Sequence, residues 1–301
     1  MDIIVRKVIN KMKFEKTQTY GWEGAFRGMR NPKNSWHLSD SYFGLITDFS
    51  ENDYEVADDW ARFLFNDETL DSSNDDFADL SDKIDLWLIE QGQLRGDYDV
   101  FDVAFIGPKD MRLAQALISG GSEHRKFLRQ IQVSVDITAP LYWWKEFDTY
   151  KVGTVANSTS TMHKLTSKPI TLDCFEIDDF KGEELWLGNP ITNVAQAVNN
   201  IIYFCEKLRQ KYLETKDKRY WKELVRWLPE SWLQTRTVTM NYENLLSMVH
   251  QRGCHKLNEW SGLEDDKLEN FITWVKTLPY ANELIFNQQA EPFILFEKYK
   301  K

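Results

Sequence analysis

The chain has 301 residues, a formal net charge of -10 at pH 7, and a hydrophobic content of 42% that includes 12 Trp. This composition predicts a folded chain with a substantial core and argues against extensive disorder. The negative charge argues against a nucleic acid polymer as partner, because such a partner requires a basic face. It is compatible with a single nucleotide held by a few local arginines.

The sequence carries no signal for a membrane segment or a metal site. No apolar run reaches the ~18 residues of a membrane helix, and residues 1–16 lack the apolar core of a secretory signal. The three cysteines, Cys174, Cys205 and Cys254, are widely spaced and lie outside any CxxC motif. We therefore expect a cytoplasmic protein with reduced thiols, no membrane partner and no bound metal.

Residues 48–102 form the sharpest shift in composition along the chain. They include the stretch DETLDSSNDDFADLSDKID, which is rich in acidic residues and poor in basic ones. The stretch lacks the glycine and the ligand spacing of a calcium loop. We interpret the segment as an acidic, solvated insertion with short helices, within a single domain that covers residues 1–301.

Three elements are predicted between residues 108 and 147. Pro108 to Ser119 forms a helix, because proline suits a first turn and Gly120-Gly121 supplies the stop. The apolar side chains at 131, 133, 135 and 137 alternate with polar ones, which predicts a half-buried strand. A second helix begins at Pro140 and runs through Phe147.

The rest of the chain is predicted to contain three helices and one strand. Thr192 can cap a long helix, residues 235–239 form a β-branched strand, and a helix follows from about Asn241 to Gly253. The long helix has an apolar stripe made of Val194, Val198, Ile201, Ile202, Cys205, Leu208 and Tyr212. The last helix carries Leu268, Phe271, Ile272 and Val275 and stops before Pro279. The predicted fold class is α+β, with an antiparallel or mixed sheet flanked by helices.

The sequence lacks the common cofactor and hydrolase motifs. It contains no G-x-G-x-x-G after a strand, no Walker loop and no G-x-S-x-G, so a dehydrogenase, a kinase or a serine hydrolase has little support. The functional signal lies instead in two separated segments, residues 124–163 and residues 226–260.

Each segment contains a series of polar residues and turns in a definite order. The first opens with His124, continues through the predicted strand to Ala139-Pro140, and then contains Asn157 and Ser160. The second contains Arg226, Leu228-Pro229, Thr239-Met240-Asn241, Arg252 and Glu259-Trp260. In this order the residues resemble the two signature regions of the flavin-dependent thymidylate synthases, over roughly a quarter of the chain.

The chain departs from the family pattern in the first segment. The family has R-H-R where this chain has Thr149-Tyr150-Lys151, or Tyr150-Lys151-Val152 when counted back from Asn157, so only Lys151 keeps a positive charge. Of the family's Glu-x-Ser-x-Arg-Tyr, Ser160 is present while the carboxylate and the arginine are lost. These departures mark a divergent branch, for which we expect a viral or phage origin.

The resemblance implies an α+β fold of the ThyX type, an enzyme of nucleotide biosynthesis and a homotetramer with active sites at subunit junctions. It implies bound FAD, with NADPH and methylenetetrahydrofolate as co-substrates. The implied reaction is the methylation of the pyrimidine deoxynucleotide dUMP at C5, which gives dTMP. Two alternatives stay open: methylation or hydroxymethylation of another pyrimidine nucleotide, and a nucleotide-binding or structural homologue without catalysis.

The resemblance also assigns roles to individual residues. Arg252 is the expected catalytic residue, because a guanidinium can donate to the pyrimidine carbonyls and stabilise developing negative charge. The expected substrate-binding residues are Ser160, Arg226, Arg252 and Glu146. The expected cofactor-binding residues are His124, Tyr150, Lys151, Asn157, Asn241 and His255.

Several of these residues also have an ordinary structural interpretation. Arg252 near a helix C-terminus is favourable with the helix dipole whether or not a ligand is bound. Asn241 and Ser160 can be helix caps, and Arg226 can form a surface ion pair.

Overall fold

A computed structural model describes residues 12–45, 102–177, 193–263 and 268–286. Apart from Asp102, the predicted acidic insertion lies outside the described residues, as does Thr192. The strands are β1 (Lys13–Tyr20), β2 (Tyr42–Leu45), β3 (Asp102–Phe105), β4 (Gln132–Pro140), β5 (Val155–Ser158) and β6 (Leu233–Asn241). The α-helices are α1 (Trp22–Arg30), α2 (Pro108–Ser119), α3 (Leu141–Phe147), α4 (Thr161–Lys164), α5 (Val194–Thr215), α6 (Lys218–Trp227), α7 (Tyr242–Arg252), α8 (Asn258–Ser261) and α9 (Phe271–Lys276).

Strands β1, β4, β6 and β5 form a four-stranded antiparallel sheet in that order. Strand β5 lies at one edge and pairs with β6 from Val155 opposite Thr239 to Ser158 opposite Arg236. Strands β2 and β3 form a separate antiparallel pair. Together with the helices, these sheets confirm the predicted α+β class.

Buried and half-buried residues alternate along β4, as the sequence predicted. Val133, Val135 and Ile137 are buried, and the polar residues between them are half-buried. Successive side chains of a strand point to opposite faces, so one face of β4 enters the core. Helix α3 begins directly after Pro140 and buries Trp143, Trp144 and Phe147, as the sequence predicted.

The described fold divides into two compact units. The first unit comprises Met1–Thr17, Ser134–Thr239 and Leu257–Asn270, and the second comprises Gln18–Val133, Met240–Lys256 and Phe271–Lys301. In the first unit, Ile202 of α5 and Leu224 of α6 pack with Phe175 in a hydrophobic cluster. In the second unit the Trp22 ring meets the rings of Tyr242 and Tyr280 edge to face, at centroid distances of 5.2 and 5.7 Å. The expectation of one domain over residues 1–301 stays a prediction.

Three details of the predicted helices are wrong. Asn193, not Thr192, caps α5, because its Oδ1 accepts a hydrogen bond from the backbone N–H of Gln196 at 2.9 Å. Ile201 is 44% exposed, because it lies about 100° around the helix from its neighbour Ile202 and only Ile202 faces the core. Leu268 precedes α9 rather than lying in it.

Among the residues that the structure describes, no helix has both the length and the apolar character needed to cross a membrane.

Candidate functional site

The residues expected at the site are distributed over both units. The second unit contains His124, Asn241, Arg252 and His255. The first unit contains Glu146, Tyr150, Lys151, Asn157, Ser160 and Arg226.

Asn241 is a buried residue at the point where β6 ends and α7 begins. Its side chain accepts a hydrogen bond from the N–H of Asn244 at 3.0 Å, and the Asn244 side chain accepts one from the N–H of Asn241 at 3.2 Å. This reciprocal cap satisfies two backbone donors of the first turn. Within the described ranges the Asn241 Nδ2 makes no hydrogen bond, so the capping role leaves both of its N–H donors for a ligand.

Arg252 is the last residue of α7 and is half-buried. Its carbonyl accepts a hydrogen bond from the N–H of His255 at 3.0 Å, which places His255 one turn beyond it. A cation at this end is favourable with the helix dipole. The eleven-residue helix separates Asn241 from Arg252 by roughly 16 Å at 1.5 Å per residue. The two side chains can therefore contact different parts of bound ligands but not the same atom.

An open cavity of about 930 Å³ lies in the second unit beside His124. Its wall is formed by the end of α1 and the turns after it, by α2, and by the 3-10 turn Lys126–Arg129. The lining residues are Gly28, Met29, Arg30, Asn31, Pro32, Lys33, Ser35, Leu38, Lys109, Leu113, Leu117, Glu123, His124, Lys126, Phe127 and Gln130. A volume of this size, with apolar walls and a few polar groups, is typical of a site for a cofactor or a small molecule.

A buried ion pair fixes one side of this cavity. Arg30 and Asp110 are 6% and 0% exposed, and the Arg30 Nε donates to Asp110 Oδ1 at 2.5 Å. The hydroxyls of Ser39 and Ser41 each donate to the other carboxylate oxygen at 2.5 Å. A buried charge is tolerated when it is paired and fully hydrogen-bonded, so these contacts lock α1 to α2.

Two glycines permit close approaches near the cavity. A Cβ on Gly107 would lie 2.2 Å from the Asp40 carbonyl oxygen, and Asp40 in turn caps α2 by accepting from the N–H groups of Lys109 and Asp110 at 2.9 and 3.1 Å. A Cβ on Gly120 would lie 3.1 Å from the imidazole Cδ2 of His124. Because glycine has no side chain, Asp40 can approach Gly107 at the start of α2, and the His124 ring can approach Gly120.

In the first unit, the segment around β5 is exposed. All of the strand is exposed, including Asn157, and the Ser160 hydroxyl caps the short helix α4 by accepting from the N–H of His163 at 3.2 Å. Lys151 is exposed and makes no ion pair within the described ranges. Ser160 is therefore a helix cap, and its hydroxyl hydrogen can still donate to a ligand.

Glu146, Tyr150 and Arg226 complete the expected set. The half-buried Glu146 lies on α3, and the Tyr150 ring beyond it is 6.4 Å from the Trp260 ring. The Arg226 guanidinium donates to Glu223 one turn earlier on the exposed side of α6. The surface ion pair considered for Arg226 is therefore present, and a phosphate would have to compete with it.

Sequence reasoning missed a cluster of acidic and phenolic oxygens in the first unit. The Tyr142 hydroxyl lies 3.1 Å from Glu176 Oε2 and also contacts Glu259 Oε1. Burial and the neighbouring carboxylates raise the pKa of Tyr142 far above its usual range, so the phenol stays protonated. No local pattern could have indicated this cluster, because its members come from three distant segments.

Arg236 and Arg30 were missed for the same reason. The Arg236 guanidinium stacks 4.1 Å above the Trp144 ring and donates to Asp148 Oδ1 at 2.6 Å. Arg30 and its partner Asp110 are 80 residues apart in sequence. No group of three or more His, Cys, Asp or Glu side chains suited to a metal occurs in the part of the chain that the structure describes.

A solved structure of a thymidylate synthase has a similar fold over nearly the whole chain. It is thymidylate synthase X from Helicobacter pylori with FAD and dUMP, which is 12% identical and matches over 93% of this chain and 99% of that chain at a TM-score of 0.50. At this identity the likeness shows the fold, and the predicted ThyX-like fold is confirmed.

Two further matches cover less of the chain. A second structure of the Helicobacter pylori enzyme, complexed with FAD and dUMP, is 15% identical over 62% of this chain and 85% of that chain, at a TM-score of 0.43. The UMP/dUMP methylase PolB from Streptomyces cacaoi, bound with 5-Br dUMP, is 14% identical over 63% of this chain and 82% of that chain, at a TM-score of 0.42. No protein-family model matches the sequence, and no curated protein matches it at a significant level.

Proposed function

We propose that this protein is a flavin-dependent methyltransferase that adds a methyl group at C5 of a pyrimidine nucleotide. The simplest reaction is the conversion of dUMP to dTMP, with methylenetetrahydrofolate as the carbon donor and NADPH as the reductant. The matched thymidylate synthase X holds FAD and dUMP, which supports both ligand classes for this fold.

One observation carries this proposal. In a chain with the thymidylate synthase fold, β6 ends at Asn241, Asn241 caps α7, and Arg252 ends α7. In the family that the sequence resembles, an asparagine at the end of a strand and an arginine after the following helix occur in the same order. Their backbone is set by a buried strand end and by a helix with one buried face, so both side chains start from fixed positions.

The proposed roles follow from the chemistry of each group. The Arg252 guanidinium can donate two parallel hydrogen bonds to the carbonyl-bearing edge of the pyrimidine. Ser160 and Arg226 would bind the phosphate, and Glu146 would contact the base as an acceptor. His124, Tyr150, Lys151, Asn157, Asn241 and His255 would hold the flavin. Bound FAD would supply the reducing equivalents that turn the transferred methylene carbon into a methyl group.

Product formation tests the proposal directly. We would first record the absorbance spectrum of the purified protein, before and after addition of FAD, and expect a flavin spectrum that co-purifies with the chain. We would then incubate it with FAD, NADPH, methylenetetrahydrofolate and dUMP, and analyse the nucleotides by mass spectrometry.

The expected product is dTMP, formed only when all components are present. UMP and dCMP replace dUMP in parallel reactions, so that a methylated or hydroxymethylated product of another nucleotide identifies that substrate. FAD and nucleotide binding without any product would instead support a non-catalytic homologue. Failure to bind FAD and all three nucleotides would exclude every version of the proposal.

The assembly is tested separately. A site shared between subunits requires a homotetramer, with four times the 35.6 kDa mass of the chain. Light scattering after gel filtration at micromolar concentration measures that mass. A monomer under these conditions would contradict the shared-site arrangement.

A further inference from the structure

Arg236 lies on β6, in register with Ser158 of the edge strand β5. Its side chain is 14% exposed, and a charged group so far removed from water requires partners. The guanidinium stacks on the Trp144 ring, its Nη1 donates to Asp148 at 2.6 Å, and its Nε donates to Gln234 Oε1 at 2.9 Å. The Trp144 ring is itself fixed, because it is buried and its Nε1 donates to the Gln234 carbonyl at 2.9 Å. These contacts hold the guanidinium in one orientation.

Arg236 in turn sets the orientation of the Gln234 amide. A guanidinium has donors and no acceptor, so only the amide oxygen of Gln234 can face it. The Gln234 Nε2 is thereby directed to the other side, where it donates to the Thr159 carbonyl at 3.0 Å and to the Thr161 hydroxyl at 3.3 Å. Gln234 is 8% exposed, so water offers the amide few alternative partners. The arginine therefore determines which end of the amide meets residues 159 and 161.

These hydrogen bonds hold the Ser160 turn, residues 159–161, on both sides of its serine. Thr159 precedes Ser160, and both its N–H and its hydroxyl also donate to the Thr235 carbonyl at 2.9 Å. Thr161 follows Ser160 and accepts from Gln234. Although all of the preceding strand β5 is exposed, the turn is thus tied to β6 by a network of polar contacts.

We infer that Arg236 is a positioning residue that fixes the Ser160 turn through Gln234. Phosphate binding by this turn rests on the proposed function, whereas the network that holds the turn does not. A hydroxyl that is already in place loses less freedom when a ligand binds, so fixing the turn should raise affinity. The chain lacks the glutamate and the arginine that accompany this serine in the family it resembles, and the resemblance indicated neither Arg236 nor Gln234.

Hydrogen exchange tests the network without any ligand. Mass spectrometry of peptides that cover residues 159–163 measures the exchange of the N–H groups that donate to Thr235 and to the Ser160 hydroxyl. Arg236→Met keeps an apolar stem beside Trp144 and removes every donor, so these rates should rise at least about tenfold while those of α7 stay unchanged. Arg219→Met, which removes an exposed arginine that is also paired with an aspartate, is the matched control and should change neither.

A second variant keeps the test decisive if Arg236→Met does not fold. Thr161→Val is nearly isosteric and removes only the hydroxyl that accepts from Gln234, at a half-buried position. It should raise the exchange of the same peptides by a smaller factor, because the contact of Gln234 with the Thr159 carbonyl remains. Unchanged exchange in every folded variant of the pair would overturn the inference.

A double-mutant cycle tests whether Arg236 acts through Ser160. Calorimetric titrations would compare the wild type, Ser160→Ala, Arg236→Met and the double variant, with whichever of dUMP, UMP and dCMP the wild type binds most tightly. Arg236→Met should weaken binding about tenfold. Its addition to Ser160→Ala should cost nothing further, because a residue that acts only through the serine hydroxyl has no effect once that hydroxyl is gone. Arg219→Met should bind like the wild type.

The two experiments separate this inference from the proposed function. If the exchange of the Ser160 turn does not respond, the inference fails whatever the protein binds. If the exchange responds and the wild type binds none of the three nucleotides, the positioning network stands and the proposed function fails. If nucleotide binds and the losses from Ser160→Ala and Arg236→Met add, Arg236 does not act through Ser160, and the inference fails while the proposed function stands.

Discussion

Residues 149–163 and residues 233–252 were both expected to contribute to the site, yet the structure holds them in different ways. The first segment contains the edge strand β5, all of whose residues are exposed, and its Ser160 is bonded within its own turn. The second contains β6 and α7, in which Val238, Met240, Tyr242 and Leu245 are 0% exposed.

This difference explains where the chain departs from the family pattern. Lys151 and all of β5 are exposed, and exposed side chains contribute little to stability, so differences from the family pattern at these positions do not disturb the core. The end of β6 and the face of α7 have buried neighbours, and the spacing from Asn241 to Arg252 is set by that packing. The departures therefore lie mainly at positions where a substitution has little effect on the stability of the fold.

The largest expected effect is on stability in the second segment. Leu245→Ala removes a fully buried side chain from α7 and should lower the free energy of unfolding by about 2–5 kcal/mol. Val155→Ala, on β5 where the side chain is 66% exposed, should change it by less than about 0.5 kcal/mol. Urea unfolding of both variants measures the contrast. Equal losses would mean that the two segments are packed alike and that the comparison is wrong.

Arg252→Lys should separate ligand binding from folding within the packed segment. Lysine keeps the charge at the end of α7 but cannot donate as a planar fork, so we expect pyrimidine nucleotide binding to weaken by about 2–3 kcal/mol. The thermal midpoint should stay close to that of the wild type. Titration with dUMP and dCMP measures the binding, and Arg219→Lys on the exposed surface of α6 is the matched control. A variant that binds as tightly as the wild type would make Arg252 a structural residue.

Asn241 and Asn157 form a matched pair across the two segments. Asn241→Ala removes the cap of α7 and should cost about 1 kcal/mol of stability, whereas Asn157→Ala on exposed β5 should leave the stability nearly unchanged. Both should weaken FAD binding if the resemblance assigns them correctly. Thermal unfolding and FAD titration give the two readouts. A loss of FAD affinity confined to Asn241→Ala would remove Asn157 from the flavin site.

The smallest expected effect concerns acid stability of the sheet. Hydrogen bonds from Lys16 at 2.8 Å and from Thr237 at 2.5 Å lower the pKa of Asp136 on β4. Because the folded pKa is depressed, this group stabilises the fold above the ordinary aspartate pKa of about 3.9, and the contribution is lost as the pH falls through the folded pKa. Asp136→Asn should therefore flatten the dependence of urea midpoints on pH below about pH 5. Asp173→Asn, at an exposed position, should keep the slope of the wild type.

Much of the local structure could be predicted from the sequence, because its causes are local. The alternation at 131–137 determined which face of β4 is buried, Pro108 and Gly120-Gly121 bounded α2, and Asn241 and Gly253 bounded α7. The order of the polar residues in the two segments also indicated a fold that the structure confirms. Periodicity, caps and spacing all act within a few residues, so they are readable without tertiary contacts.

Tertiary structure alone decided which side chains meet. Arg30 and Asp110 are 80 residues apart, and the Tyr142 phenol contacts carboxylates 34 and 117 residues away. It also decided that β5 is an exposed edge and that an open cavity forms beside His124. Such pairings depend on how strands and helices pack, and one sequence by itself carries no pattern that records them. The sequence thus identified the kind of fold and its candidate residues, while packing determined which of them are rigid, exposed or already engaged.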